Sequence, residues 1–264
     1  DTDHHAAKPI SAADHWILTK LQQLEQGLSG DLDGYRFAEG YDKLYHFIWD
    51  ELADWYLEAS KEKPNVALLR RILADVLTLL HPYAPFVTET IWQTLGWEKD
   101  SLLATRKWPV ILKGTEKHAA DFEEIKNIVS ESRYIIKALH ATSVTMYYTD
   151  VPFLQENAAI IKRMARLEGV TEVRDGTGVY LTQTKHRCWL DIDIATAQHY
   201  GEELASKQAA IEKSISQLSA RLENKAYIEQ APKHLVEQTK EQLEEAKAQL
   251  ESLKAEAKRF APAS

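Results

Sequence analysis

Two heptad repeats near the end of the chain restrict its possible folds more than any other feature. Both repeats step by three and four residues, at Leu204, Gln208, Ile211, Ile215, Leu218 and Leu222, and again at Val236, Thr239, Leu243, Ala246, Leu250, Leu253, Ala257 and Phe260. This spacing gives each helix one apolar seam, which favours packing of helix on helix. Ala231 and Pro232 lie between the repeats, where proline interrupts helix. The sequence therefore predicts an antiparallel coiled-coil hairpin over residues 199–262, extending about 40 Å at 1.5 Å per residue.

The first part of the chain also has helical periodicity and predicts a helical bundle over residues 1–118. Four helices are expected, over residues 11–28, 35–63, 67–80 and 88–95. Ser11 is a candidate N-cap of the first helix, and Gly27 and Gly30 are candidate ends for it. The long helix 35–63 carries two apolar stripes, which places it centrally in the bundle.

Residues 119–198 form a different pattern, typical of a small α/β unit. Helices are expected over 121–140 and 152–166, and alternating apolar residues predict strands over 143–149, 170–173, 179–182 and 187–194. The predicted fold class is therefore mostly α, with a helical bundle, a small α/β connector and a C-terminal antiparallel coiled-coil hairpin.

Composition excludes few classes of function. The net charge of −8 argues against a generic nucleic-acid binder but leaves room for local cationic patches. No apolar run is long enough to span a membrane, and no secretory signal is visible. A single cysteine, Cys188, rules out an internal disulfide framework and fits the cytoplasm. The chain begins without Met, which suggests a piece of a longer protein.

The sequence carries no pattern that predicts a catalytic or metal site. It has no glycine-rich phosphate loop, no cysteine pair for zinc and no serine nucleophile elbow. Three groups could in principle bind metal or act as paired carboxylates: His4 with His5, His186 with Cys188, and Asp191 with Asp193. Solvated or structural roles explain each of them better, so we predict no metal site and no catalytic residue.

Three stretches together resemble the class I synthetases for valine, isoleucine and leucine. Residues 36–61 contain RFAE, FIWDE and DWYLEASK, residues 80–92 read LHPYAPFVTETIW, and residues 107–109 read KWP. The N-terminal DHWIL at 14–18 is similar to the entry helix of the same bundle. This resemblance implies that residues 1–118 are a helical anticodon-binding domain.

The C-terminal part resembles the valyl-tRNA synthetases in particular. Residues 222–232, LENKAYIEQAP, are similar to the hairpin turn of that family, where serine usually precedes the asparagine, and glycine and phenylalanine stand in place of Ala226 and Tyr227. The turn residues so identified are Asn224, Tyr227, Ala231 and Pro232. Isoleucyl enzymes commonly end in a cysteine zinc module instead, which one cysteine cannot build.

The resemblance implies two contacts with tRNA-Val. Expected residues near the anticodon are Arg36, Lys43, Lys61, Lys63, Arg70 and Arg71, and expected residues at the tRNA corner are Lys207, Lys213, Arg221, Lys225, Lys233 and Lys240. The family's catalytic half uses ATP with magnesium, but its His-x-Gly-His and Lys-Met-Ser-Lys-Ser signatures do not occur here. We therefore expect a monomeric tRNA-binding part of a valine–tRNA ligase that is inactive without that half.

Several alternatives remain open at this point. The aromatic residues Phe37, Trp49 and Trp55 have helical spacing that is more often typical of a core than of a base-stacking surface. Each hairpin lysine, taken singly, fits a solvated helix face. The hairpin could also be a structural or dimerising coiled coil, and the chain could be a stand-alone tRNA-binding factor derived from a synthetase.

Overall fold

The computed structural model describes residues 7–97, 101–149, 151–224, 227 and 232–259. The chain divides into two compact units, Asp1–Lys126 and Asn127–Ser264. The finer division into 1–118, 119–198 and 199–262 stays a prediction. Within the described residues, no helix combines the length and the apolar character that crossing a membrane requires.

The first helix of the first unit, α1 (Ala12–Asp33), begins at the predicted cap. The Ser11 hydroxyl accepts a hydrogen bond from the Asp14 amide at 3.1 Å, which satisfies one of the free N–H groups at a helix start. The prediction that Gly27 and Gly30 end this helix is wrong. The helix continues through both glycines and ends at Gly34, because an isolated glycine weakens a helix without stopping it.

The predicted long helix 35–63 is interrupted in its winding. It consists of α2 (Phe37–His46), a π-helical segment (Phe47–Leu57) and the short α3 (Glu58–Ser60). Phe47 and Tyr56 are both buried although they are nine residues apart. In an α-helix they would face opposite sides, whereas the looser i to i+5 pattern of a π-helix brings them to one side. The prediction of a helix buried on two sides is wrong, because Tyr45 and Trp49 of the second apolar stripe are exposed.

The bundle is completed by α4 (Val66–Leu80), α5 (Pro85–Leu95) and a 3-10 turn (Leu103–Thr105). The predicted helices 67–80 and 88–95 are confirmed, and α5 starts earlier because proline suits a first helical turn. Gly96 ends α5 in the left-handed region at φ 59°. A buried cluster of Ala74, Leu77, Trp92 and Leu103 joins these elements.

A buried carboxylate connects the start of the bundle with its later helices. Asp14 accepts hydrogen bonds from the Tyr56 hydroxyl, the Asn65 side-chain amide and the Ile10 amide, at 2.8, 2.8 and 2.9 Å. Asn65 also caps α4, since its side-chain oxygen accepts from the Leu68 amide at 3.2 Å. Burial and the neighbouring Asp14 raise the pKa of Tyr56 far above its usual value. Tyr56 therefore stays a neutral donor.

The next helix, α6 (Glu116–Ala138), starts against α1 within the first unit. The Thr115 amide donates to His15 Nδ1 at 3.1 Å, and the His15 and His118 rings stack with centroids 4.8 Å apart. Burial and the charge of His118 lower the pKa of His15. His15 is held neutral by a donor that needs an unprotonated ring nitrogen.

The second unit contains a four-stranded sheet in the order β2-β1-β4-β3, with β1 (Thr145–Tyr148), β2 (Gly169–Glu172), β3 (Val179–Tyr180) and β4 (Cys188–Leu190). The crossover α7 (Pro152–Ala165) makes β1 and β2 parallel, and β4 is antiparallel to both of its neighbours. The four predicted strands are present, but the fourth is shorter than predicted, because Asp193 caps a helix that begins at Ile194. Their buried face carries Met146 and Leu190, which are paired across β1 and β4.

A second buried carboxylate holds α6 on this unit. Glu131 accepts hydrogen bonds from the Thr182 amide and hydroxyl and from the Gln183 amide, at 2.7 to 2.8 Å. The polar residues singled out from the sequence also have structural partners here. His186 stacks on Phe153, and Asp193 caps the next helix by accepting from the Ala195 amide at 3.1 Å. His4 and His5 lie outside the described residues.

The predicted hairpin is confirmed as α8 (Ile194–Glu223) and α9 (Lys233–Arg259), which pack against each other. The seam residues Leu204, Thr239, Ala246 and Leu250 are buried, and the other described seam positions are half-buried. The Gln208 amide donates to the Leu253 carbonyl at 3.1 Å, a polar link between the two helices. Phe260 lies outside the described residues.

Candidate nucleic-acid interface

A row of four aromatic side chains lies on the surface of the first unit. Phe37, Tyr41, Tyr45 and Trp49 follow one another at intervals of four residues, and their exposed fractions are 54%, 52%, 50% and 61%. The Tyr45 and Trp49 rings are nearly parallel, 6° apart, with centroids separated by 6.5 Å. The interpretation of Phe37 and Trp49 as core residues is therefore wrong, and Trp55 is half-buried. We call these four residues the aromatic row.

Two further aromatic residues extend the aromatic row on the same unit. Tyr35 is 81% exposed and meets Phe37 edge to face at 6.2 Å, and Tyr83 lies 6.2 Å from Tyr41. Gly40 permits the approach of Tyr83, since a Cβ there would lie 2.2 Å from the tyrosine hydroxyl oxygen. Tyr83 therefore packs closely against α2 beside Tyr41.

Two of the predicted cations share one carboxylate, one of them at the start of α2 and the other in its last turn. Arg36 and Lys43 form ion pairs with the buried Asp31 at 2.9 and 2.5 Å, while their own side chains stay about half exposed. The hydrogen bond from Lys43, with that from Arg36, lowers the pKa of Asp31. The arrangement orients both cations and leaves part of each accessible to an anion.

The other four predicted cations of the bundle are placed differently. Lys61 pairs with Glu58, and Lys63 is exposed without an ion pair to any described residue. Arg70 lies over the Trp97 ring at 4.8 Å. Arg71 bonds Asp75 and the Val110 carbonyl, each at 2.8 Å, and is largely buried.

Arg71 and a second arginine therefore have a structural role around one carboxylate. Arg106 also donates to Asp75, at 3.1 Å, and lies over the Trp92 ring. Burial raises the pKa of Asp75, although both arginines oppose that effect. The spacing of Arg71 and Asp75, four residues apart on one helix, is a sequence signal of such a pair. The structure does not bring Arg70 and Arg71 together with Arg36 as free cations.

The hairpin residues predicted to meet RNA also separate into groups. Lys207 and Lys213 are exposed on α8 without ion pairs to described residues, whereas Lys240 pairs with Glu237 at 3.6 Å. Arg221 lies over the Tyr227 ring at 4.7 Å. Lys233 begins α9, and Lys225 and Ala231 lie outside the described residues.

The turn of the hairpin is held by Tyr227. Its hydroxyl is 2.9 Å from the Thr239 hydroxyl and donates to the Leu235 carbonyl at 3.2 Å. Its amide donates to the Asn224 carbonyl, and the Pro232 carbonyl accepts from the Leu235 amide. The phenolic oxygen thus ties the turn to the first part of α9.

Two family models match the chain over most of its length. Residues 14–144 match the anticodon-binding domain of tRNA ligase, and residues 202–261 match the valyl-tRNA synthetase tRNA-binding arm. The first range contains the aromatic row, and the second contains the hairpin from residue 202 of α8 through α9.

Relatives with curated names agree with the family models. The valine–tRNA ligases of Thermotoga maritima and Petrotoga mobilis are each 30% identical over 88% of this chain and 29% of their own length. That of Streptomyces avermitilis is 32% identical over 86% of this chain and 27% of its own length. The chain thus spans less than a third of these relatives. It belongs to the valyl-tRNA synthetase family, of which it carries the anticodon-binding domain and the tRNA-binding arm.

Proposed function

We propose that this chain binds tRNA-Val as part of a monomeric, cytoplasmic valine–tRNA ligase, with the bundle at the anticodon and the α8–α9 hairpin at the tRNA corner. The complete enzyme would use ATP with magnesium to attach valine to the tRNA. This chain lacks the catalytic signatures, and its described residues include no group of three His, Cys, Asp or Glu that could hold a metal. Its part in the reaction, in this proposal, is to bind and position the tRNA.

The single observation that carries the anticodon assignment is the exposed aromatic row. Unpaired bases of an RNA loop stack on aromatic faces, and the contact is worth about 1–3 kcal/mol per base. Tyr45 and Trp49 offer two parallel faces at the surface. Arg36 and Lys43 supply cations on the same helix, which suits the phosphates between the bases.

The exposed lysines of α8 support the assignment of the hairpin. Lys207 and Lys213 lie outside the seam, where phosphates can reach them. The seams of α8 and α9 fill each other within one chain, and the Gln208 amide bonds across them. A dimerising scaffold would need an open seam, so this alternative is not favoured.

The test compares three RNAs by equilibrium binding: a tRNA-Val transcript, one with a replaced anticodon, and one with a disrupted corner between the D and T loops. The variant Tyr45→Ala/Trp49→Ala removes both parallel rings. Leu102→Ala/Val110→Ala is the control, because it removes two exposed apolar side chains of the same unit outside the row.

We expect the aromatic variant to bind the intact tRNA at least tenfold more weakly than wild type, since it loses stacking on at least one base. Because stacking tolerates any base, the aromatic variant should also bind the anticodon-replaced RNA more weakly than wild type does. The control should match wild type throughout. Equal binding of all three RNAs by wild type, or no binding at low salt, would refute the proposed function. Equal effects of both variants would show that the row is only apolar surface.

A further inference from the structure

An open cleft of about 600 Å³ lies within the second unit, between the end of α6 and the start of α8. Its volume lies in the range of sites that hold a small ligand. Two tyrosines, two lysines and two histidines contribute to its wall: Tyr134, Lys137, His140, His199, Tyr200 and Lys207. Periodicity does not reveal this group, because its two helices are far apart in sequence.

The charge of this cleft differs from that of the chain as a whole. The chain has a net charge of −8, yet Glu203 is the only acidic residue among the described residues that line the cleft. Glu203 lies 3.5 Å from His199. Lys137 and Lys207 form no ion pair with a described residue. Lysines on α9 are different, since Lys240 and Lys247 each pair with a glutamate three residues before them.

Two unpaired ammonium groups beside aromatic rings match the chemistry of a nucleotide. A phosphodiester needs cations that are free of competing carboxylates, and a base needs a planar apolar surface. Tyr134 and Tyr200 are half-buried in the wall and provide that surface. A folded RNA already bound elsewhere on the chain would meet the cleft at a high effective concentration.

The geometry points to a third RNA contact: the cleft between α6 and α8 binds a backbone phosphate of the tRNA, with Lys137 and Lys207 as its cations. Lys207 then belongs to this contact, and Lys213 remains with the hairpin contact at the tRNA corner. This inference rests on the proposed function, because the same tRNA supplies the phosphate. The contact is independent of base sequence, so it adds affinity and fixes the RNA near the base of the hairpin without reading the anticodon.

The first test uses the variant Lys137→Gln/Lys207→Gln in this chain. The control Lys117→Gln/Lys162→Gln makes the same change in charge at two exposed lysines that do not line the cleft. We expect the cleft variant to bind tRNA-Val and the anticodon-replaced RNA more weakly by the same factor, roughly tenfold at low salt. The dependence of log Kd on log salt should become shallower by about 0.7 for each phosphate that the variant no longer binds.

The second test observes the cleft directly, through the imidazole NMR signals of His140 and His199 in the wild-type chain. Adding tRNA should shift both signals, and the shifts should shrink in the cleft variant. Adding AMP alone distinguishes the source of the phosphate. If AMP shifts the signals but the cleft variant binds tRNA normally, the cleft takes free nucleotides and the inference is wrong.

The outcomes separate this inference from the proposed function. If wild type binds tRNA with anticodon dependence while the cleft variant equals its control, the inference alone falls. If wild type and control both fail to bind tRNA, the proposed function falls and the inference with it.

Discussion

Replacing Asp14 by alanine should destabilise the first unit more than any single surface change. The carboxylate accepts from Tyr56, Asn65 and Ile10. Asn65 and Ile10 lie near the surface, where water can replace part of the loss, but Tyr56 is fully buried. Removing a charge-assisted bond costs about 1.5–3 kcal/mol, and an unsatisfied buried hydroxyl costs about 1–3 kcal/mol. We expect the free energy of unfolding to fall by about 3–5 kcal/mol.

Urea unfolding followed by tryptophan fluorescence measures this change, because six of the seven tryptophans precede residue 127. Tyr56→Phe alone should cost about 1–2 kcal/mol. The double variant Asp14→Ala/Tyr56→Phe should be less destabilised than the sum of the two, by about 1–3 kcal/mol, since the unpaired hydroxyl is gone. Additive effects, or a loss below about 1 kcal/mol for Asp14→Ala, would refute the assignment of the hydrogen bonds.

Three further predictions follow from single contacts. Gly40→Ala should cost about 1–3 kcal/mol in urea unfolding, because its Cβ would meet the Tyr83 hydroxyl, and Tyr83→Leu should recover part of this loss. The lowered pKa of His15 means that the unfolded chain binds more protons than the folded chain, so the free energy of unfolding should fall as the pH drops through the ordinary value of 6.5. His15→Gln should make this pH dependence weaker. An unchanged slope in the variant would contradict the role of His15. Tyr227→Phe removes the hydrogen bond to Thr239 and should destabilise the turn by about 1 kcal/mol. Hydrogen exchange of the backbone amides at the start of α9 should then be faster. A uniform change in exchange along the whole hairpin would be the contrary result.

The parts of the fold that could be predicted are those in which only one arrangement buries the apolar residues of a local sequence pattern. The seams of the hairpin each need an apolar partner helix, and the nearest one follows a short turn. In the second unit, the alternation of apolar and polar residues likewise determines which face of the sheet is buried, and Met146 and Leu190 occupy that face. In both places the spacing of apolar residues in the sequence equals the repeat of the helix or strand that forms.

The winding of residues 47–57 could not be predicted in this way. A period of 3.6 assigns Phe47 and Tyr56 to opposite faces, but the hydrogen bond of Tyr56 to the buried Asp14 holds that side chain in the core. The winding is thus accompanied by a contact 42 residues away in sequence, which a local pattern does not reveal. The exposure of Phe37 and Trp49 was missed for a related reason, since an apolar stripe does not reveal whether another element covers it.

For the predicted cations, too, the sequence gives the residue type but not the distant residues with which each cation pairs. Sequence identifies Arg36, Lys43 and Arg71 as basic residues near the aromatic helix, but it does not state which of them is already bound. Burial of Arg71 depends on the Val110 carbonyl, which lies beyond the end of α5 in the chain. The side chains of Arg36 and Lys43 stay about half exposed while both pair with the buried carboxylate of Asp31, and their exposure depends on where that carboxylate lies.

The hydrogen bond between Gln208 and the Leu253 carbonyl also sets a length. A heptad seam can slip by one repeat and still pair apolar residues, and a slip would move one helix by about 10 Å along the other. The Gln208 amide would then face a different part of α9, and the buried Ala246 would face a different side chain. The register of the two helices therefore sets the distance between the start of α8 and the turn.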